Sequence, residues 1–459
     1  MNLLFRSFMG TSDLRKRLTR HFEPAQLSGI VTAAREFPVT SRVDVQAALD
    51  DWFRTRTDAQ LLGVHSQMSH ETSTLALLCT GGPFGVEQGP LQHDEIDIGN
   101  DEPVRCLKNG LWLAQNGALP FAVFVTPSMK FGQSSGVHVE IGVPSGESGA
   151  AFSQGFFRDL EVRVAVGRTY RGRVISLESH HDYSGRGGSV RVHRLHNVSR
   201  EDVILPQKTL TLLDRNVSRF VAARNEIRSL RFSTKKGLLF YGPPGTGKTH
   251  TIHYLASQLP DYTTLLVTAE QVGLLGEYFR LARFLQPAMM VVEDVDLIAR
   301  YREHMRVPGE EVLLNKLLNE MDGLREDADV LFILTTNRPD QLEPALASRP
   351  GRIDQAIEFP LPDDEGRAKL VRLYSRGLDV PADLMDLIVR RSKGSSPAFI
   401  KELMRRSAQF LLEIGGGRQL TTTAVDAAIE EMVFIGGSLN LKLLGGETAE
   451  ITRAVADLE

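Results

Sequence analysis

Residues 242–249 read Gly-Pro-Pro-Gly-Thr-Gly-Lys-Thr, and this octapeptide constrains the chain more than any other segment. An apolar run at 237–241 precedes it, and a helical pattern from His250 to Leu259 follows it. Glycines let backbone N–H groups curl around an anion because no Cβ is in the way, and the following helix adds its positive N-terminal end. The segment therefore predicts a phosphate-binding loop between a strand and a helix. The candidate binding residues are Gly242, Pro243, Pro244, Gly245, Thr246, Gly247, Lys248, Thr249 and His250.

Two side chains of this loop are predicted to act on a bound nucleotide. Lys248 can reach the β- and γ-phosphates, and Thr249 can offer its hydroxyl to Mg²⁺. The alternative is a glycine-rich turn that happens to contain Lys-Thr. The strand and helix patterns on either side argue against that alternative.

The composition is that of an ordinary globular protein, with 459 residues, 42% hydrophobic and 24% charged. The formal net charge of −4 gives no global reason to expect nucleic acid or a membrane surface as a partner. Cys79 and Cys106 are the only cysteines, so we expect no disulfide framework and a reducing, cytoplasmic compartment. No apolar run is long enough to span a bilayer, so we expect no transmembrane segment.

The first part of the chain divides into a helical and a β-rich segment. Residues 1–62 have helical spacing, and their basic start favours an amphipathic helix over an organelle presequence. Short alternating stretches at 137–141 and 160–164, separated by turn residues, indicate a β-rich domain at 63–206. We expect this domain to bind a client or an adaptor.

The second part has a different pattern. Apolar strands alternate with helices at 207–360, which predicts a mostly parallel sheet covered on both faces. Apolar stripes at helical spacing indicate a helical lid at 361–440, and a polar tail follows at 441–459. The predicted fold is thus α/β, a P-loop parallel sheet with a C-terminal helical lid, preceded by a β-rich domain and a short helical N-terminus.

Two strand ends carry polar residues that suit phosphate chemistry. The apolar run 289–292 ends in Glu293 and Asp294, and behind a phosphate loop we expect one carboxylate to hold Mg²⁺ and the other to orient the attacking water. The alternative is an acidic strand end exposed to solvent. The run 330–335 leads to Asn337, whose amide either touches the γ-phosphate or the attacking water or is a plain turn residue.

A rigid pair of arginines follows. Arg349 and Arg352 flank Pro350-Gly351, a placement too constrained for an ordinary solvated loop. An arginine beside a γ-phosphate stabilises the transition-state charge and increases the rate by roughly 10³–10⁵. The pair comes soon after the asparagine strand, so we expect it to be remote from its own nucleotide. Supplying it to a neighbouring subunit requires a head-to-tail ring.

These motifs, in this order, resemble the AAA family of ATPases over residues 210–435. In that resemblance Asn337 is the first sensor, and Arg349 and Arg352 are the trans-acting fingers. The stretch 319–324 is similar to the family's inter-subunit signalling segment. The second sensor would lie at 394–398 and use Gly394 and Ala398 to contact the nucleotide.

The resemblance implies a function and a set of cofactors. It implies ATP and Mg²⁺, with Lys248 contacting the phosphates and Thr249, Glu293 and Asp294 near the metal. It also implies a homo-oligomeric ring, expected to be a hexamer, that remodels or threads other macromolecules. The family usually ends its acidic strand in Asp-Glu, whereas this chain has Glu293-Asp294. A similar inversion occurs in the AAA chaperone subgroup of the mitochondrial inner membrane. Alignment then assigns Glu293 to the metal and Asp294 to the water.

The segment that corresponds to the family's pore loop also departs from the usual pattern. The family grips polypeptide with an aromatic residue followed by an apolar residue and glycine, whereas residues 274–279 read Leu-Leu-Gly-Glu-Tyr-Phe. Leucines provide less contact area than aromatic rings. We interpret Tyr278 and Phe279 as core residues of the following helix, so threading of a client stays open.

We therefore expect an ATPase that hydrolyses ATP to ADP and phosphate and acts as a ring-forming, unfoldase-like chaperone of an unknown protein client. Two alternatives remain, a slow nucleotide-gated switch and a nucleic-acid-stimulated ATPase that uses basic residues of the lid or pore. The chain has no His-Glu-x-x-His pair, so we expect no attached metalloprotease. Its last residues do not resemble the tail that docks related ATPases on proteasome-like chambers.

Overall fold

An antiparallel sheet organises the first part of the chain and a parallel sheet organises the second. The computed structural model describes residues 13–66, 71–80, 86–130, 133–167, 169–178, 189–296, 312–325, 328–340 and 352–435. The chain divides into two units, Met1–Arg194 and Leu195–Glu459. The predicted α/β fold with a β-rich first part and a helical C-terminal part is confirmed.

The first unit is built on a mixed-length antiparallel sheet. Its strands are β1 Ile30–Pro38, β2 Gln60–Ser66, β3 Val86–Gly89, β4 Gln92–Ile96, β5 Val104–Asn116, β6 Leu119–Lys130, β7 Gln133–Pro144, β8 Val174–Glu178 and β9 Ser189–His193. Its helices are α1 Asp13–Phe22, α2 Arg42–Arg54, α3 Leu75–Thr80 and α4 Glu147–Ala165. The order in the sheet is β1-β7-β6-β5-β2-β3, with β4 paired to β5, while β8 and β9 form a hairpin. Leu14, Leu18 and Phe124 lie in the core of this unit.

Two sequence-based expectations for this unit were wrong. Residues 1–62 were expected to be helical, but Ile30–Pro38 is a strand that pairs along its whole length with β7. That pairing satisfies backbone groups from a distant part of the chain, which local spacing does not reveal. The stretch 160–164 was expected to be a strand but belongs to α4. Leu160 and Val164 are both buried and one helical turn apart, so their alternation with polar residues also fits a helix.

The second unit contains a parallel sheet and two sets of helices. Its strands are β10 Lys236–Tyr241, β11 Thr263–Val267, β12 Ala288–Val292, β13 Val330–Thr336 and β14 Gln355–Glu358. The helices are α5 Gln207–Leu213, α6 Arg219–Ala222, α7 Arg224–Ser229, α8 Lys248–Gln258, α9 Leu275–Phe284, α10 Val312–Asp322, α11 Asp364–Tyr374, α12 Ala382–Arg391, α13 Pro397–Glu413 and α14 Thr422–Glu430. These strands follow the order β14-β10-β13-β12-β11, and each neighbouring pair is parallel.

The strand order places the carboxyl ends of β10, β13 and β12 next to one another. Every residue of β12 and β13 is buried, as expected for continuous apolar strands in the middle of a parallel sheet. The carboxyl ends of parallel strands meet at one edge of the sheet, where ligands of open α/β folds bind. Since β13 lies between β10 and β12, the segments that follow these three strands are neighbours at that edge.

The helices α11–α14 form the predicted lid with an apolar core of its own. Leu370, Ile388, Phe399, Leu403 and Val425 are among its buried residues. The polar tail at 441–459 lies outside the described residues. In the part of the chain that the structure describes, no helix combines the length and the apolar character needed to cross a membrane.

Candidate active site

The predicted phosphate-binding loop connects β10 to α8. Gly242 has a φ of +147°, and a Cβ there would lie 2.2 Å from the carbonyl oxygen of Phe359. Gly245 has a φ of +75°, and a Cβ there would lie 2.9 Å from both the Ala398 methyl carbon and the Ser396 hydroxyl oxygen. The loop therefore requires glycine for its backbone conformation and for its close contact with the start of α13.

Lys248 is the first residue of α8, and its side chain turns back into the loop. Its Nζ donates to the carbonyl oxygens of Gly242 at 2.8 Å and Pro243 at 2.9 Å. The residue is only 7% exposed, and burial lowers the pKa of its ammonium group to about 8. The charges of Asp294 and Asp296 act in the opposite direction. A buried ammonium group of this kind favours the binding of an anion in the loop, because the anion would provide further hydrogen-bond acceptors and a negative charge.

Thr249 and Glu293 meet across the cleft between α8 and the end of β12. The Thr249 hydroxyl donates to Glu293 Oε1 at 2.7 Å. Hydroxyl and carboxylate oxygens are ligands that Mg²⁺ prefers, so these two residues fit that ion. Among the described residues, no group of three or more His, Cys, Asp or Glu side chains is arranged to hold a metal.

Asp294 has a different set of partners from Glu293. Its backbone lies in the left-handed region with a φ of +48°, which is uncommon for a residue other than glycine. Its N–H donates to the Thr335 hydroxyl oxygen at 2.9 Å, and its Oδ1 accepts a hydrogen bond from Asn337 Nδ2 at 3.0 Å. The two acids of the inverted pair are thus separated, one beside a hydroxyl of α8 and the other beside the amide at the end of β13.

The surroundings of Asp294 raise the pKa of its carboxyl above the usual value. Burial is the main cause that raises the pKa of its carboxyl, and the negative charges of Asp296 and Glu293 raise it further. Lys248 and the hydrogen bond from Asn337 lower it in part. A carboxylate with a raised pKa is a stronger base, which suits a group that accepts a proton from water.

These elements line a cavity of about 430 Å³. From the sheet domain the lining includes residues 244–251, Asp294, Thr335 and Asn337. The remaining lining residues are Asp202, Val203, Ile204, Leu205, Leu370, Tyr374, Pro397, Ala398 and Lys401. The cavity therefore has an acidic and amide end beside the phosphate loop and a more apolar end between the segment before α5 and the lid.

Part of the predicted second sensor, residues 394–398, lines the cavity. The Ala398 N–H donates to the Gly245 carbonyl oxygen at 3.2 Å, and Ala398 lines the cavity. Gly394 adopts a φ of +74° in the turn before α13 but is not among the lining residues. The Ser396 hydroxyl caps α13 by accepting the Phe399 N–H at 3.2 Å, which directs the helix start at the phosphate loop.

Sequence reasoning missed several residues of this site. Asp202 lies before the predicted ATPase domain, yet its carbonyl oxygen is 3.2 Å from His250 Nε2 and its carboxylate accepts from Arg376 at 2.9 Å. Lys401 lines the cavity, although in the sequence it is one of several basic lid residues. The sequence did contain a signal for Lys401, because its spacing of three residues from Ala398 places both residues on one face of a helix. The buried Asp296, close to the acidic pair, was also missed.

One of the two predicted arginine fingers, Arg352, lies within the described residues. Arg349 lies outside the described residues. Arg352 is not among the residues that line the cavity, and its guanidinium forms an ion pair with Asp322 at the end of α10. Its side chain is 12% exposed. The ion pair joins the predicted finger to the segment 319–324, which the sequence assigned to inter-subunit signalling.

The interpretation of the candidate pore segment is confirmed for its aromatic residues. Tyr278 and Phe279 are fully buried in α9. The Tyr278 hydroxyl lies 2.9 Å from both the Leu266 carbonyl oxygen and Gln271 Oε1. Both aromatic rings therefore belong to the core of the sheet domain. Leu274, which precedes the helix, is half-buried.

Comparisons with known proteins agree with this geometry. Residues 238–361 match the profile of the ATPase family associated with various cellular activities (AAA). A proteasome-activating nucleotidase of Methanocaldococcus jannaschii is 30% identical over 52% of this chain and 58% of its own length. A proteasome-activating nucleotidase of Pyrococcus furiosus is 35% identical over 39% of this chain and 47% of its own. The 26S proteasome regulatory subunit S10B homolog B of Arabidopsis thaliana is 33% identical over 39% and 46%.

The fold, the site and these matches define one class of domain. Residues 238–361 are similar to the ATPase domain of the AAA family, and the phosphate-binding loop and the acidic strand end both lie within this match. The matched part spans about half the length of these curated relatives. The names of these relatives give no support to the mitochondrial inner-membrane subgroup, a resemblance that rests only on the order of Glu293 and Asp294.

Proposed function

We propose that this protein is a Mg²⁺-dependent ATPase that hydrolyses ATP to ADP and phosphate. The observation that carries the proposal is the hydrogen bond of 3.0 Å between Asn337 Nδ2 and Asp294 Oδ1 in the cavity that also contains Lys248. A base, a group that orients it and a buried cation on a phosphate-binding loop are the parts that water attack on a γ-phosphate requires.

Each residue has a separate role in the proposed reaction. Lys248 binds the β- and γ-phosphates and exchanges its loop carbonyl partners for phosphate oxygens. Asp294 accepts the proton of the attacking water, and its raised pKa makes it a better base for that step. Asn337 fixes the Asp294 carboxylate and contacts the water. Thr249 and Glu293 hold Mg²⁺, which supplies positive charge to the phosphates when bound.

We further propose that the complete site forms between copies of the chain. Arg352 lies away from its own cavity, and Arg349 would accompany it, so both arginines would act on the nucleotide of a neighbour. A site that is shared in this head-to-tail manner closes into a ring. The expected ring is a hexamer, on the basis of the family resemblance.

The proposed biological role is remodelling of a protein client. The relatives are named as proteasome-activating nucleotidases and a proteasome regulatory subunit, so an unfoldase-like chaperone activity is the nearest function. The first unit would bind the client or an adaptor. Because Leu275, Tyr278 and Phe279 are all in the core, any grip by this segment on a threaded chain would come from the half-buried Leu274.

The nucleic-acid alternative is less well supported than the protein client. The Arg406 side chain pairs with Glu402 at 2.7 Å and Glu431 at 2.5 Å, and Arg391 pairs with Asp426. Arginines already paired with acids offer less net positive charge to a phosphate backbone. The other alternative, a nucleotide-gated switch, requires slow ATP hydrolysis. The measured turnover rate therefore distinguishes it from the proposed ATPase.

The test is steady-state ATP hydrolysis as a function of protein concentration for the wild type, Asp294→Asn and Glu293→Gln. We expect turnover per subunit to rise with concentration as rings form. Asp294→Asn should reduce kcat by about 10²–10⁴ while ATP still binds, because general-base catalysis is lost. Glu293→Gln should raise the Mg²⁺ concentration needed for half-maximal activity. A wild type that binds ATP but turns over no faster than Asp294→Asn would support the switch instead.

A further inference from the structure

We propose that Asp296 is a positioning residue for ATP hydrolysis, which holds Asn337 in the place where it can orient Asp294 and the attacking water. The inference rests on the proposed ATPase function. Asp296 is 3% exposed and is not among the residues that line the cavity, so it would act through other residues.

Among the described residues, the hydrogen bonds that Asp296 accepts come from the end of β13. Its Oδ1 accepts the Thr336 hydroxyl at 2.8 Å and the Asn337 backbone N–H at 3.2 Å. The Thr336 hydroxyl oxygen in turn accepts the Arg338 N–H at 2.9 Å. One carboxylate oxygen therefore sets the turn that directs the Asn337 side chain.

Asn337 is held from two sides by the same short segment. Asp296 holds its backbone, and Asp294 accepts a hydrogen bond from its side-chain amide. The N–H of Asp294 donates to the Thr335 hydroxyl, which closes the connection between the two strand ends. The left-handed backbone of Asp294 is consistent with this role, because uncommon conformations persist only where surrounding contacts over-determine them.

A buried carboxylate is costly unless its partners are well placed, so Asp296 is an unusual choice for a residue that only fills space. An apolar side chain would carry no such desolvation cost. What an apolar residue cannot do is accept two hydrogen bonds that fix the backbone of Asn337. Small errors in the position of a catalytic group reduce the rate by as much as about 10²-fold, so this fixation has a measurable consequence.

The experiment compares Asp296→Ala and Asp296→Asn with the wild type for kcat, KM and the Kd of ATP. We expect Asp296→Ala to lower kcat by about 10–100-fold. The Kd of ATP should change no more in Asp296→Ala than in Asp296→Asn, because both variants remove the same charge near Lys248. Asp296→Asn should retain most of the turnover, since its amide oxygen can accept the same two hydrogen bonds.

A double-mutant cycle with Asn337→Ala tests the proposed route of action. If Asp296 acts through Asn337, adding Asp296→Ala to Asn337→Ala should lower kcat by less than about threefold. Amide hydrogen exchange at 335–338 in the nucleotide-free protein gives a second readout, and Asp296→Ala should accelerate it.

The first unit offers a matched control for a merely structural effect. The Asp44 carboxylate is buried and accepts the Thr169 hydroxyl at 2.6 Å and the Thr169 N–H at 3.3 Å, which is the same chemistry away from the site. Asp44→Ala should leave kcat within about threefold of wild type. Additive losses in the cycle, an equal loss of kcat in Asp44→Ala, or loss of turnover in Asp296→Asn equal to that in Asp296→Ala would overturn the inference. An inactive wild type would instead reject the ATPase proposal itself.

Discussion

At the scale of single residues, the site depends on charged and conformationally unusual groups held in a small volume. Lys248 is buried, and its Nζ donates to two backbone carbonyl oxygens of the loop. Asp294 has a left-handed backbone and a carboxyl whose pKa burial raises. Such perturbed groups cluster at functional sites, because the arrangement that makes them reactive also makes them costly.

The pKa of Lys248 predicts how nucleotide affinity depends on pH. With a pKa of about 8 in the free protein, the side chain is mostly charged at neutral pH and mostly neutral above pH 9. Phosphate binds the charged form, so the Kd of ATP should rise by up to about tenfold per pH unit above pH 8. Isothermal titration between pH 7.5 and 9.5 measures this. Lys248→Arg keeps its charge and should give a flat profile, and a flat wild-type profile would contradict the prediction.

The contact between Gly245 and the lid gives a second prediction at this scale. Gly245→Ala places a methyl group against Ala398 and Ser396 in a left-handed backbone, so we expect weaker ATP binding and a loss of stability of about 1–3 kcal/mol. Gly377 has a similar φ of +99° with nothing within 4 Å of a Cβ. Gly377→Ala should therefore lower stability but leave the Kd of ATP unchanged. Equal affinity loss in both variants would argue against a specific role for the contact.

At the scale of elements, the ends of helices and strands determine the geometry. The phosphate loop joins β10 to α8, the acids follow β12, and Asn337 follows β13. Helix α13 begins at the loop because its cap, Ser396, is fixed there. Regular elements thus act as a rigid frame, and the functional groups lie where that frame ends.

Two helix caps in the lid allow an effect on stability to be distinguished from an effect on nucleotide binding. The Ser396 hydroxyl caps α13 at the cavity, and the Thr421 hydroxyl caps α14 by accepting the Ala424 N–H at 3.3 Å. Replacing either by alanine should lower the free energy of unfolding by about 1 kcal/mol. Only Ser396→Ala should also weaken ATP binding, because only α13 contacts the phosphate loop. Thermal unfolding and ATP titration of both variants test this, and weaker binding in Thr421→Ala would count against it.

At the scale of the whole molecule, we propose that the complete site forms between two copies of the chain. Arg352 pairs with Asp322 in its own chain and does not line its own cavity. The two units of the chain differ in sheet type, one antiparallel and one parallel.

A subunit-mixing experiment tests the shared site. Arg352→Ala should bind ATP normally but turn over about 10³-fold more slowly, because transition-state charge is no longer neutralised from a neighbour. Adding Lys248→Ala subunits, which retain Arg352 but do not bind ATP, should restore part of the activity. Turnover of the mixture at different ratios gives the measurement. Arg352→Ala with full activity, or no recovery on mixing, would contradict a site completed in trans.

Some parts of the fold and the site were predictable because they depend on local properties. The glycines of the phosphate loop have positive φ values or close contacts, and the apolar runs of β12 and β13 are continuous, so both leave a signal in the sequence. Strand β14 was not identified from the sequence, and the predictions for the segments of strand β1 and helix α4 were wrong. Their conformations depend on partners from distant segments or on patterns that fit both a helix and a strand.

The amino-acid sequence by itself determined the nucleotide-binding loop, the acidic strand end, the asparagine and the class of domain, because each is a short pattern whose chemistry requires those residues in that order. Only the tertiary structure decided which residues meet there. Asp202, Lys401 and Asp296 reach the site or its neighbours through folding, and Arg352 is brought to Asp322 rather than to its own cavity. The contacts of Asp202, Asp296 and Arg352 join segments far apart in the chain, so no local pattern encodes them, whereas Lys401 had a local signal in its helical spacing from Ala398.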